Sequence, residues 1–518
     1  MTRSLLATVK LGALFVLVVA GMVLSGAAGL RTEPRSAEAA LLSEVKKLLA
    51  FDAEATDRFG ISVAVSGDTA VVGAWRADAG GIDSGAAYVF QRSQGGSDNW
   101  GQVKKLTASD AQADDRFGQS VTISGDTTVV GAGGEDAVGS SAGAAYVFQR
   151  DQGGADNWGE VKKLTASDAQ PGDEFGVGGV AVSGDTAIVG AFREDSGGSN
   201  AGAAYVFQRD QGGADNWGEL KKLTATDAQA SDRFGVSVAA SAGTVVIGVH
   251  REDSGTGAAY VFQRDQGGAD NWGEVKKLLS SDAQAGDIFG GSVAVSGDTA
   301  VVAAFGQDAG GSEAGAAYVF QRDQGGADNW GEVKKLITSD AQADDEFGRM
   351  AISGNTIVVG ARLEDAGGTD AGAAYVFQRD QGGADNWGEV KKLVASDAQP
   401  GDNFAIGVAI SGGTAFVGAW SEDAAGADAG AAYVFQQPQP TPTPTPTPCT
   451  PPEKPVPSGC AVGGIALDAK ADLRALETSE SSSHGFRVAA WAIVAAAGAV
   501  TLGSAAWYAK RRQPGQAT

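Results

Sequence analysis

Histidine, cysteine and positive charge are scarce in this 518-residue chain. With two His and two Cys, chemistry that depends on imidazole or thiolate has almost nothing to work with. Lys and Arg number 39 against 63 Asp and Glu, a formal net charge of −24. A nucleic-acid partner needs a basic footprint, so none is expected. Glycine, by contrast, is abundant at 77 residues. The length alone suggests several domains, but the repetition described below points to one large domain with appendages.

The appendages are read first. Arg3 and Lys10 precede the apolar run LGALFVLVVAGMVL, and Ala37-Glu38-Ala39 offers a cleavage site. Residues 1–39 therefore read as a secretory signal or, because that site lies far from the apolar run, an uncleaved anchor. At the other end, residues 488–509 are apolar and uncharged. At ~1.5 Å rise per residue they are long enough to cross a bilayer core of ~30 Å. Lys510, Arg511 and Arg512 follow, which places residues 510–518 in the cytoplasm as a basic tail. The Thr-Pro alternation in residues 438–460 predicts an extended stalk, and residues 461–487 a juxtamembrane spacer. Cys449 and Cys460 lie at the stalk's end; they form a local disulfide or remain two free thiols. The expected layout is a membrane-anchored, single-pass protein with its repeats outside the cell.

Residues 40–437 hold the repeats. AAYVFQ recurs with its Tyr at Tyr88, Tyr146, Tyr205, Tyr260, Tyr318, Tyr375 and Tyr433. A Phe-Gly pair precedes it in each copy and becomes Phe404-Ala405 in the last. Each unit spells four short strands: SVAVSG, TAVVGA, GAAYVFQR and EVKKL, separated by Gly/Asp-rich turns. Four antiparallel strands repeated seven times predict an all-β, seven-bladed β-propeller. Small residues fill the first strand and aromatic ones the later strands, which suits a wedge-shaped blade with its narrow edge at the axis. KKL first appears at Lys46, ahead of the first Phe-Gly, and is missing after Phe435. Residues 42–49 should therefore be an outer strand that closes the last blade. Paired lysines on an outermost strand also blunt edge-to-edge aggregation.

The ordered set Phe-Gly, VVGA and GAAYVF resembles the FG-GAP repeat, the blade unit of the integrin α-subunit propeller and of many bacterial surface proteins. The resemblance covers residues 42–436 and implies adhesion or ligand binding, with an extracellular protein or glycan as partner. Two departures stand out. The family's Pro is replaced by Trp75, Gly133, Phe192, His250, Phe305, Arg362 and Trp420. The integrin-type calcium loop is absent, its place taken by SGDT or a close variant.

Candidate site residues follow from the repeat. Three Asp positions recur in every blade. Two precede Phe-Gly: Asp52 and Asp57, Asp110 and Asp115, Asp168 and Asp173, Asp227 and Asp232, Asp282 and Asp287, Asp340 and Asp345, Asp397 and Asp402. The third follows the second strand: Asp78, Asp136, Asp195, Asp253, Asp308, Asp365 and Asp423. All should share one face of the disc, where they either bind calcium or brace turns. The residues that vary between copies, Trp75, Phe192, His250, Phe305, Arg362 and Trp420, start the loop carrying the third Asp. They are candidate ligand contacts for sugars or cationic groups, or else packing between blades. Seven equivalent blades supply no unique nucleophile and base, so an enzyme is not expected. A structural surface coat remains the alternative to a binding module.

Overall fold

The computed structural model describes residues 42–437 except residue 137. The signal segment, stalk, spacer, membrane span, tail and both cysteines lie outside the described residues. No helix among the described residues is long and apolar enough to cross a membrane.

Seven four-stranded antiparallel sheets form the blades of a β-propeller. The first blade comprises Phe59–Ser66, Thr69–Ala74, Ala86–Gln91 and Gly101–Leu106, in that order from axis to rim. Gly67 occupies the first central position of the two-residue turn between the inner strands, with φ 57°, as a II′ hairpin requires. The second strand is buried along its whole length, which is why it reads TAVVGA, small and β-branched, with no polar alternation.

The core lies between blades. Val71 and Val89 of one blade share a cluster with Phe117 and Tyr146 of the next, so each sheet is covered by its successor. Within each blade the Phe of Phe-Gly meets two aromatic rings, edge-on or tilted; Phe59 lies edge-on to Tyr88 at 5.6 Å and to Phe90 at 6.0 Å. The two recurrent Gly motifs interlock across the same seam. A Cβ on Gly85 (φ 85°) would lie 2.0 Å from the carbonyl oxygen of Phe117, and one on Gly118 (φ 90°) 2.2 Å from that of Ala86. Gly suits this approach of backbones best, so Phe-Gly and Gly-Ala-Ala-Tyr travel together in the sequence; the last copy places the small Ala405 there instead, at φ 73°.

Ring closure follows the displaced KKL. Ser43–Leu48 pairs antiparallel with Ala431–Gln436, Ser43 opposite Gln436 and Leu48 opposite Ala432. It completes the sheet of Thr414–Ala419 and Phe404–Ser411. The KKL lysines do more than charge an edge. Lys104 donates to Asn157 of the next blade at 2.9 Å, and Lys46 does the same to Asn99 at 3.0 Å. The second lysine of each pair turns inward to the carboxylates described next.

Candidate functional site

The first Asp of each blade is a tie point. In the second blade Tyr146 donates to Asp110 Oδ1 at 2.8 Å, and Lys163 donates to Asp110 Oδ2 at 2.7 Å. Lys163 also reaches Glu135 at 2.7 Å. The same arrangement joins Asp168 to Tyr205 and Lys222, Asp227 to Tyr260 and Lys277, Asp282 to Tyr318 and Lys335, Asp340 to Tyr375 and Lys392, and Asp397 to Tyr433 and Lys47. Asp52 keeps the Lys105 pair, at 2.6 Å. Desolvation of the tie points works against ionisation, but hydrogen bonds from Lys and Tyr outweigh it and hold Asp110, Asp168, Asp227, Asp282, Asp340 and Asp397 below the ordinary carboxylate value.

The second and third Asp brace their own loops. Asp57 is buried and accepts from Glu54 N at 2.9 Å; Asp115, Asp173, Asp232, Asp287, Asp345 and Asp402 repeat that turn. Burial pushes these carboxyls up. Asp78 accepts from Asp83 N across its loop at 2.9 Å, as do Asp136, Asp195, Asp308, Asp365 and Asp423 from the residue five further on. Asp253 instead sits in the short turn Glu252–Gly255 with φ 46°.

Among the described residues no group of three or more His, Cys, Asp and Glu is placed to hold a metal ion. Calcium needs 6–8 oxygen ligands converging on one point. Most of these carboxylates give at least one oxygen to lysine, tyrosine or a backbone N–H group, and calcium binding by them is a proposal that a melt in excess EGTA tests.

The blade-specific positions behave differently. Trp75, Phe192, His250, Phe305 and Trp420 converge on the central channel, a cavity of about 680 Å³ walled by the first strand of every blade. Arg362 does not line it; its guanidinium holds Glu346 through Nη2 at 2.6 Å and Nε at 2.7 Å. At Gly133 a neighbour fills the gap, since a Cβ there would meet Val177 Cγ2 at 1.8 Å. His250 is half-buried, its Nδ1 has no hydrogen-bond partner among the described residues, and burial together with Arg233 and Arg251 pushes its pKa down to about 4. It is neutral at pH 7.

Sequence reasoning offered these aromatic faces to cationic groups, and the cations that lie against them are the protein's own. Their neighbours are arginines. Arg76 and Arg116 flank the Trp75 ring at 4.6 and 5.6 Å. Arg193 and Arg233 flank Phe192 at 5.6 and 5.7 Å, Arg58 covers Trp420 at 5.1 Å, and Arg349 covers Phe305 at 5.1 Å. Arg58, Arg116 and Arg233 come from the turn just before Phe-Gly of the following blade, where the backbone is left-handed (φ 60°, 59° and 64°). The aromatic residue of one blade is thus capped by a cation from the next, at separations such as 75 to 116 that no local pattern connects. The signal in the sequence was the recurrence of Asp-Arg-Phe in some copies and not others.

A seven-bladed propeller whose variable residues gather at a ligand-sized axial channel is the class that fold and site define. The chain belongs to the FG-GAP repeat family, whose model matches residues 42–90, 100–148, 158–207, 217–262, 272–320, 330–377 and 387–435. No curated protein matches it. Among solved structures it is similar to Kuenenia stuttgartiensis hydrazine synthase, at 11 % identity and a TM-score of 0.45, over 71 % of this chain and 94 % of that one.

Proposed function

We propose that this chain is a cell-surface, membrane-anchored ligand-binding module of the adhesion type, whose ligand seats at the mouth of the central channel. One observation carries the reading: blade-specific side chains converge on the channel, while loops such as DQGGADNWG are close copies around the ring. Repetition builds the scaffold, and variation is concentrated where a single asymmetric partner would be read. The cavity volume falls in the ~300–1,000 Å³ range of small-ligand sites. The anchoring half of the proposal rests on the signal-like residues 1–39, the Pro/Thr stretch and the apolar residues 488–509.

A soluble fragment of residues 40–436, screened against glycans and matrix proteins, tests binding. Trp75 and Trp420 are neighbours across the ring closure. Trp75→Ala and Trp420→Ala are each expected to weaken a hit by about two- to thirtyfold, the scale of a ~0.5–2 kcal/mol ring contact, with an unchanged circular dichroism melt. Normal binding in both variants, or unfolding of both, would remove the channel from consideration. Anchoring has its own test: protease added outside intact cells should release the propeller, and protected repeats with a cleaved C-terminal tail would show the reverse orientation.

A further inference from the structure

The channel mouth collects arginines that have no ionic partner. Arg76, Arg116, Arg233, Arg251 and Arg349 make no ion pair among the described residues, whereas Arg92, Arg150, Arg209, Arg264, Arg322 and Arg379, on the opposite face, each pair with an Asp. Arg58, Arg193 and Arg362 at the mouth pair with Asp428, Glu174 and Glu346, while the other five guanidinium groups keep no direct ionic partner among the described residues. A chain of net charge −24 has no shortage of carboxylates to neutralise them. The position before Phe-Gly holds a carboxylate in only two copies, Glu174 and Glu346; the others hold Arg58, Arg116 and Arg233 or the uncharged Ile288 and Asn403.

We propose that the mouth is an anion site that takes a small organic molecule with an oxyanion head, a carboxylate or sulfate, on an apolar body. The proposal rests on the ligand-binding reading above and names its ligand class. It reverses the expectation for cationic groups, because the aromatic faces that would receive a cation already carry the protein's own guanidinium groups. Stacking fixes each guanidinium plane and leaves its N–H edges for the oxygens of a carboxylate or sulfate. The apolar body is called for by the wall below: Val63, Val121, Val180, Val238, Val293 and Val408 line the channel. The inner-strand serines add little polarity, since Ser62, Ser120 and Ser237 donate their hydroxyls to the carbonyls of Gly118, Gly176 and Gly290 in the next blade. Burial and the nearby Arg251 and Arg193 hold Arg233 below its ordinary pKa against the opposing Glu174, and burial with Arg362 does the same to Arg349 against Glu346.

Calorimetry with four probes of equal chain length decides the matter: octanoate, octyl sulfate, octan-1-ol and octyltrimethylammonium. The two anions are expected to bind one per propeller and to weaken as salt rises; the alcohol should bind at least about tenfold more weakly and the cation not at all. Arg116 and Arg251 are exposed and free of ion pairs among the described residues, so Arg116→Gln/Arg251→Gln should keep its melt while losing about tenfold or more in octanoate affinity, roughly one charged hydrogen bond. Arg264→Gln on the opposite face should change nothing. If alcohol or cation binds as tightly as octanoate, or the double variant holds octanoate unchanged, the anion assignment is wrong. The channel would still be a binding site in that case, provided Trp75→Ala weakens those probes. If no probe of any charge binds and the hits of the wider screen ignore Trp75→Ala, the ligand-binding reading itself is overturned.

Discussion

Removing residues 40–49 is expected to cost the propeller about 5 kcal/mol or more and to turn a soluble domain into an aggregating one. Leu42 and Leu48 are 4 % and 2 % exposed, and burying each contributes about 1.5–3 kcal/mol. Lys47 leaves with them. It pairs with Asp397 at 2.7 Å and with Glu422, whose side chain is 2 % exposed, at 2.6 Å. Stranding a buried carboxylate costs a further ~3–5 kcal/mol. The deletion also uncovers Ala431–Gln436, reading AAYVFQ, as an apolar edge ready to pair with another chain. Denaturant unfolding and light scattering would show both effects. A peptide of sequence ALLSEVKKLL added in trans should restore solubility. A deletion variant that unfolds at the same denaturant midpoint and stays monomeric would mean that the ring holds without its closing strand.

Lys392→Met is expected to lose about 3–5 kcal/mol, an outsize effect for one residue near the rim. Its ammonium bridges Asp340 at 2.8 Å and Glu364 at 2.6 Å, and the Glu364 side chain is 2 % exposed. Removing the cation leaves that carboxylate buried without its counter-charge. The fifth blade suggests the remedy, since Gln307 stands where five blades have Glu and Lys335 still holds Asp282. Lys392→Met/Glu364→Gln should therefore recover most of the loss, a strong departure from additivity. Acid titration supplies the sign. In the wild type the Asp340 carboxyl is held below its unfolded value, so its contribution is present above about pH 4 and is lost as pH falls through the folded value. In the variant, that part of the acid limb should flatten. Equal melts for Lys392→Met and wild type at pH 7 would reduce the cluster to surface decoration.

The fold could be read from the sequence because the repeat spells its own contacts. Phe59, Gly60, Gly85 and Tyr88 are motif letters, and each is a place where one blade touches another or its own strands. Even the closing strand was visible, as a KKL with no blade before it. The site was legible only by half. Variation singled out Trp75, Phe192, His250, Phe305 and Trp420, which line the channel, but also Arg362, in the same column, which turns to Glu346 instead; nothing in the sequence pointed to the channel itself. The arginine caps escaped notice because each stack joins two copies of the repeat, and an alignment of copies shows what is shared within a blade, not what meets across a seam. The Asp columns were legible as columns, but the lysine partners of the first arrive from the far strand of the blade, as Lys163 does for Asp110, and proximity in sequence gives no hint of that.

The antiparallel pairing of Ser43 with Gln436 has a mechanical consequence. Both chain ends leave the propeller from the edge where the Gly67-Asp68 turn and its six counterparts lie, whereas Trp75 and Trp420 follow strands that end on the other side. A tether attached beyond Gln437 therefore pulls from the side remote from the channel mouth. Tension between a seated ligand and that tether runs along Ala431–Gln436, which is flanked by Ser43–Leu48 on one side and Thr414–Ala419 on the other. Both hydrogen-bond ladders lie across that pull and take it in shear, loaded together instead of being peeled apart one bond at a time.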